Sequence, residues 1–233
     1  MNSATLLSLQ VSDVTEIPAG GSDAWWDKSW TTGFYKRPVT GRVWLGYQGL
    51  RGDQQADRKH HGGADKALCV YAVEHYPQWR ESLALPEMPS GAFGENFTVQ
   101  GLLESGVCIG DIFQIGTARV QVSQPRQPCW KLARRWRIKD LTAQVEQSGR
   151  TGFYFRVLKH GWVSAGESFE LVERSFPRLT IAHANEVMHL RKEDFSAATE
   201  LAMCSLLSAS WKDSLWLRVE NQQAMDTSTR TQQ

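Results

Sequence analysis

The sequence predicts a mainly β fold: a closed or nearly closed β-barrel with a few short helices, followed by a small α-helical appendage. Three observations predict it. Up to about residue 175 the chain is a series of short runs rich in β-branched and aromatic residues, cut by glycine and polar turns, without regular intervening helices. After Phe176-Pro177 the spacing of apolar residues turns helical. With 233 residues, the chain can bury a substantial core in one large domain, or in one domain with an appendage. The expected division is a barrel over 1–175, three helices over 176–221 and a polar, frayed tail over 222–233.

In chain order, the candidate strands are "TLLSLQVSDVTEI", "GRVWLGYQGL", "KALCVYAV", "ENFTVQG", "DIFQIGTARVQVSQ" and "SFELVER". Within the fifth, Gly116-Thr117 marks a hairpin turn. Two helical pieces interrupt the strands: "AVEHYPQWRESL", started or kinked near Pro77, and "IKDLTAQVEQSG", which Gly149 ends as a C-cap does. In the appendage, Thr180 is the expected N-cap of "LTIAHANEVMHL". The pieces "KEDFSAATELAMC" and "SASWKDSLWLRVEN" follow at helical spacing. Such short helices need tertiary packing to persist. Trp211 and Trp216 are expected at an interface, where the appendage docks an electron-donating partner or a second subunit, or covers the barrel mouth.

Composition excludes several classes. A net charge of +1 with no basic run argues against a nucleic-acid or membrane-surface protein, so any anion site is local. No apolar stretch approaches the roughly 20 residues of a membrane span, and the amino terminus lacks the basic start of a signal peptide. The four cysteines form no C-x-x-C pair, which suits a reducing cytoplasm better than a disulfide framework.

Three segments carry candidate chemistry. In "GLRGDQQADRKHHGGADKALCVY", His60, His61, Gly62, Gly63 and Lys66 crowd one turn-rich stretch. Adjacent glycines can aim backbone N–H groups into a concavity, and the cations add charge for an anion such as phosphate; a solvated Gly-Gly turn is the plain alternative. His60, His61 and His75 lack the thiolates and spacing of a zinc site. The second segment, "GAFGENFTVQGL", brings Asn96 into a strand through a glycine-rich entry. The third is "SQPRQPCWK". There Pro125 and Pro128 stiffen the backbone around Cys129, while Arg126 and Lys131 favour the thiolate, the form that binds metals and reacts. Cys69, Cys108 and Cys204 have apolar sequence neighbours and read as small buried hydrophobes.

Taken together, "TTGFYKRPVTGRVWLGYQGLRGDQQADRKHHGGADKALCVYAVEHYPQW", "FGENFTVQGLLESGVCIGDIFQIG" and "VQVSQPRQPCWKL" resemble the MOSC family, the molybdenum cofactor sulfurase carboxy-terminal domain, in its stand-alone bacterial form with a three-helix tail. The resemblance covers about residues 5 to 175. It implies a MOSC-type β-barrel, a molybdenum cofactor (molybdopterin), and Cys129 as the protein's ligand to molybdenum. It further implies reduction of N-hydroxylated bases such as 6-hydroxylaminopurine to amines, a detoxifying activity. Arg126 and Lys131 are then expected to stabilise the thiolate or the metal's oxygen ligand, and Arg37, His60, His61, Gly62, Gly63, Lys66, Asn96 and Arg126 to grip the cofactor. Without a dinucleotide fingerprint or an iron–sulfur cysteine set, the chain needs a separate flavoprotein reductase as electron donor. The alternative of another class is a carrier that hands on the cofactor, or sulfur held on Cys129, with no turnover of its own. A monomer or a homodimer is expected.

Overall fold

The structure, a computed structural model, describes residues 4–222; residues 223–233 of the expected frayed tail lie outside it. The chain opens on strands β1 (Thr5–Val11), β2 (Thr15–Ile17), β3 (Trp30–Thr32), β4 (Arg37–Pro38), β5 (Val43–Gly46) and β6 (Gly49–Leu50). A short helix α1 (Arg58–His61) and a tight turn at Ala64–Lys66 lead into β7 (Leu68–Ala72), α2 (Tyr76–Ser82), β8 (Phe97–Gln100), β9 (Ile112–Ile115) and β10 (Ala118–Pro125). Helices α3 (Trp130–Trp136) and α4 (Leu141–Ser148) precede β11 (Phe153–Lys159), β12 (Gly161–Val163) and β13 (Glu170–Glu173). Helices α5 (Ile181–Asn185), α6 (Phe195–Ala202) and α7 (Ala209–Asn221) complete the chain.

Eight strands form one sheet in the order β13-β9-β10-β11-β7-β8-β1-β4. All neighbours are antiparallel except β7 and β8. The sheet curls into a half-barrel, and its far edges meet where Leu6 N donates to Glu167 O (2.9 Å) and Phe169 N to Ala4 O (2.8 Å). Register shifts in β1 and β10 supply the bends that such curling needs. The expected hairpin joins β9 to β10, and Gly149 ends α4 in the left-handed conformation (φ 68°). The short elements β3, β4, α1 and β12 were absent from the expected set, as were two that shape the site, β11 and α3. β11 lies at the centre of the sheet between β10 and β7, with Phe153, Phe155 and Val157 in the core. α3 follows Cys129 directly.

The appendage is sewn into the barrel. Thr180, Asp194 and Ser208 cap its three α-helices, their side chains accepting from the backbone N–H groups of His183, Ala197 and Trp211. Ile181, Val187, Leu201, Trp211 and Leu215 share one core with Phe113, Val120 and Val122 of the sheet. Trp211 has no exposed surface, so its expected place at an interface is corrected; Trp216 does face outward. An amphipathic pattern shows that a helix has a buried face but not what covers it, and here the sheet does. A second apolar cluster, including Tyr71, Trp79, Phe93 and Leu132, packs between α2, α3 and α4. No described helix is long and apolar enough to cross a membrane.

A cationic cleft around Cys129

At the end of β10 the chain leaves the sheet, held by Arg126 N donating to Gly152 O (3.0 Å). Three residues later Cys129 takes the N-cap position of α3 in an extended conformation (φ −132°, ψ 165°). Its carbonyl accepts from Leu132 N (3.0 Å) and Thr142 Oγ1 (3.3 Å). Backbone and prolines thus fix the residue while its thiol stays partly exposed, unlike the buried Cys69, Cys108 and Cys204.

The thiol opens on a cleft of about 590 Å³, solvent at its mouth included. Lys36, His61, Lys66, Arg126 and Lys131 line it, with Asp57, Cys69, Phe93, Asn96 and Tyr154. Arg126 is the deepest charge, only 4% exposed. Burial opposes its ionisation, but the neighbouring Cys69, Tyr154 and Cys129 outweigh burial and raise its pKa. Its Nη1 atom is buried and has no hydrogen-bond partner among the described residues. Lys131 is also buried, its ammonium 5.9 Å from the Trp130 ring centre. Burial first, then the charges of Lys131, Arg126 and Lys66, pushes the His61 imidazole down to about 3, against an opposing pull from Asp57. His61 is therefore neutral at physiological pH. Burial pushes the Cys69 thiol up to about 11, so of the two cysteines on the cleft Cys69 stays protonated. Burial, followed by Cys69, likewise raises the Tyr154 phenol.

The cleft gathers His61, Lys66, Asn96, Arg126, Cys129 and Lys131 of the expected site. The others depart from expectation. Arg37 is exposed on β4, opposite Val11 of β1, and does not reach the cleft; Lys36, one residue earlier, does. Adjacent residues of an extended chain point to opposite sides, so a one-residue difference decides which cation enters. The His60 ring lies outside this part of the cleft and turns to Asp57, Nδ1 to Oδ2 2.8 Å, and its backbone carbonyl accepts from Lys66 Nζ (2.7 Å). Gly62 and Gly63 do not line the cleft. A Cβ at Gly62 would lie 2.7 Å from Arg58 O, and Gly63 holds φ 95°, so both serve the turn. Asn96 faces the cleft with its amide already satisfied: Oδ1 accepts from Cys69 N (3.1 Å), and Nδ2 donates to Asp53 Oδ2 (2.8 Å) and Gln10 O (3.2 Å). It braces the wall. Lys36, Asp57, Cys69 and Tyr154 were missed. Tyr154 had a signal, the strand-like run of β11, whereas Cys69 was hidden by its apolar sequence neighbours.

The class that fold and site define is a curled β-sheet protein with a restrained thiol, Cys129, set in a cleft lined by desolvated cations. Comparison with known proteins narrows this class. The MOSC domain pattern matches residues 57–170 and the YiiM-like, 3-alpha helix domain pattern residues 179–222. The chain is 47% identical over 183 residues to the protein YflK of Bacillus subtilis, covering 78% of this chain and 82% of that one. It is 34% identical over 173 residues to a protein named "Reductase" from Gibberella moniliformis, covering 73% of this chain but 31% of the fungal one. The crystal structure of YiiM from Geobacillus stearothermophilus superposes with a TM-score of 0.77 at 38% identity, covering 93% of this chain and 99% of the other. The chain belongs to the MOSC family and carries its YiiM-like three-helix domain. That membership fits a molybdenum-cofactor-related oxidoreductase.

Proposed function

We propose that the cleft holds a molybdenum–pterin cofactor with Cys129 as the protein's ligand to the metal, and that the protein reduces N-hydroxylated bases and related compounds to amines. The observation that carries this reading is Arg126: a buried guanidinium that lines the cleft beside a restrained thiol, with one nitrogen lacking any partner among the described residues. A fold keeps a desolvated, incompletely paired charge where a ligand completes it. The donor set suits the proposed ligand. A thiolate is a soft ligand for molybdenum, and Arg126, Lys131 and Lys66 offer charge-assisted hydrogen bonds to an anionic phosphate. The fungal relative's name lends further support.

When bound, the cofactor supplies the two-electron chemistry in which R–NHOH, two electrons and two protons give R–NH2 and water. The chain's residues do the rest. Cys129 anchors the metal at one point, because its backbone is pinned through Leu132 N and Thr142 Oγ1. Arg126 and Lys131 supply positive charge in a desolvated setting, where each contact is stronger than in water. His61, neutral above about pH 3, adds a hydrogen-bonding ring without another charge. Electrons come from a separate flavoprotein reductase.

The test is molybdenum content and turnover of 6-hydroxylaminopurine with a chemical reductant, using protein from a cofactor-competent host. Wild-type protein should hold metal and turn over. Cys129→Ser should lose more activity than the about 10- to 100-fold that loss of an outer-shell partner of a metal ligand costs, while Cys69→Ser keeps most of it. Near-wild-type turnover by Cys129→Ser would sink the assignment. Bound metal without turnover in the wild type would instead indicate a cofactor carrier.

A further inference from the structure

The cleft has a second lobe. Past Cys129 it continues into a space of about 1150 Å³, open solvent included. Both lobes are lined by Asp57, His61, Lys66, Cys129 and Tyr154, so the thiol stands where they meet. Their remaining linings differ in kind. The first lobe adds Lys36, Arg126 and Lys131. The second adds Gln124, Gln127, Trp130, Ser210 and Ser214, with the exposed Lys59 and His60. The Gln127 amide, the two serine hydroxyls and the Trp130 indole suit a flat heterocycle whose edges both donate and accept hydrogen bonds.

One wall of this second lobe comes from the appendage. Ser210 and Ser214 stand four residues apart on the same face of α7. Ser210 Oγ donates to Gln124 Oε1 (3.3 Å), and the buried Gln124 amide is held by Pro125 O (3.1 Å). The start of α7 is fixed to the sheet by Ser208 N donating to Ser123 O (2.9 Å). It is tied to the turn that carries Lys66 as well: Arg156 donates to Asp65 Oδ1 (2.8 Å) and to Leu206 O (3.0 Å), and Ala209 N donates to Asp65 Oδ2 (3.3 Å). These bonds fix where the wall stands relative to the thiol.

We infer that the second lobe binds the heterocyclic part of the substrate, and that α7, through Ser210 and Ser214, sets the size of the ring system that reaches Cys129. The lobe takes flat nitrogen heterocycles such as the base of the proposed substrate. This rests on the proposed function for what reacts at Cys129, but the binding site itself stands on the lining.

Two readouts test it on the full-length protein: calorimetric affinity for adenine, the unreactive amine product, and the KM for 6-hydroxylaminopurine. Ser214→Phe, which fills the lobe, should weaken adenine binding and raise KM by at least about 10-fold, the scale on which pocket shape discriminates, with molybdenum content unchanged. Asp213→Phe, the same bulk at an exposed position outside the lobe, should change neither. Trp130→Leu, which removes the aromatic face without adding bulk, should also weaken adenine binding and serves if Ser214→Phe does not fold. Adenine affinity and KM within twofold of wild type in both lobe variants would overturn the inference. Loss of adenine affinity in a protein that holds no molybdenum would uphold the heterocycle site while overturning the proposed reaction, so the two readings fail separately.

Discussion

The two walls of the Cys129 cleft treat charge in opposite ways. Along the wall made by β1, β8 and the loops beside them, charged groups are paired within the fold. Lys36 is bonded to Asp53, and Asp53 also accepts from Ser12 N (2.9 Å) and Asn96 Nδ2 (2.8 Å). Glu95, fully buried, accepts from Gly91 N (2.6 Å), Phe93 N (3.1 Å) and Thr98 Oγ1 (2.8 Å). Along the wall made by the end of β10 and by α3, Arg126 and Lys131 are just as buried, yet neither forms an ion pair among the described residues. Removing charge from water is costly, and the first wall offsets that cost with internal partners. The second offers Arg126 and Lys131 no carboxylate partner among the described residues, and leaves one Arg126 nitrogen without a hydrogen bond. Buried charge alone therefore does not mark a binding surface; at Arg126 the buried charge without an ion pair also lines the cleft, beside a restrained thiol.

Substitutions on the two walls should move stability in opposite directions. Asp53→Ala strands the Lys36 ammonium and two further donors, and should destabilise cofactor-free protein by about 3–5 kcal/mol, as breaking a buried pair does. Arg126→Met removes a charge that has no ion pair. It should leave cofactor-free protein unchanged or more stable by about 1–3 kcal/mol, the cost of an unsatisfied buried group, while molybdenum retention falls. Urea denaturation of both variants measures the contrast. A similar loss of stability in both would mean that Arg126 is part of the scaffold.

The contrast also explains what could be read from the sequence. The grouping of Cys129, Arg126 and Lys131 on one cleft was legible because their relation is local: two prolines, a thiol and two cations stand within nine residues. The hairpin at Gly116, the cap at Gly149 and the cap at Thr180 were legible for the same reason. The paired wall is made of partners far apart in the chain. Lys36 meets Asp53 across 17 positions, and Asn96 meets Asp53 across 43, so only the folded sheet brings them together. The choice between Lys36 and Arg37 turned on strand phase, which neighbouring cations do not reveal. β11 had the aromatic content and glycine boundaries of a strand, but its central place depends on pairing with β10 and β7. Trp211 lay on a readable amphipathic face, and what covers it was not readable.

A smaller effect separates the walls by pH. Because the His61 pKa is about 3 in the folded protein and near 6.5 when unfolded, the unfolded state binds a proton first as the pH falls. The group's contribution to stability is thus fully present above about pH 6.5 and lost progressively toward pH 3, with a slope of at most about 1.4 kcal/mol per pH unit. His61→Asn cannot titrate and should flatten the fall in stability between pH 7 and pH 5, read as denaturation midpoints in cofactor-free protein. An unchanged slope would mean that the imidazole is not held neutral by its burial and by the cations beside it.

The smallest effect is expected at Arg37, and it is the sharpest check on where the cleft ends. Arg37 sits beside Lys36 in sequence, but its side chain is exposed on β4 and touches neither the Asp53 network nor the thiol side. Arg37→Ala should change stability by no more than about 0.5 kcal/mol, the usual range for an exposed position, and leave molybdenum content as in the wild type. Lys36→Met, one residue away, leaves the buried Asp53 carboxylate without its cation and should lower stability by several times that amount. The pair isolates strand phase, because both variants remove one positive charge from neighbouring positions and differ in the side to which it points. Equal losses would show that net charge near the cleft mouth matters more than contact. A fall in molybdenum content for Arg37→Ala alone would extend the binding surface over the rim onto β4.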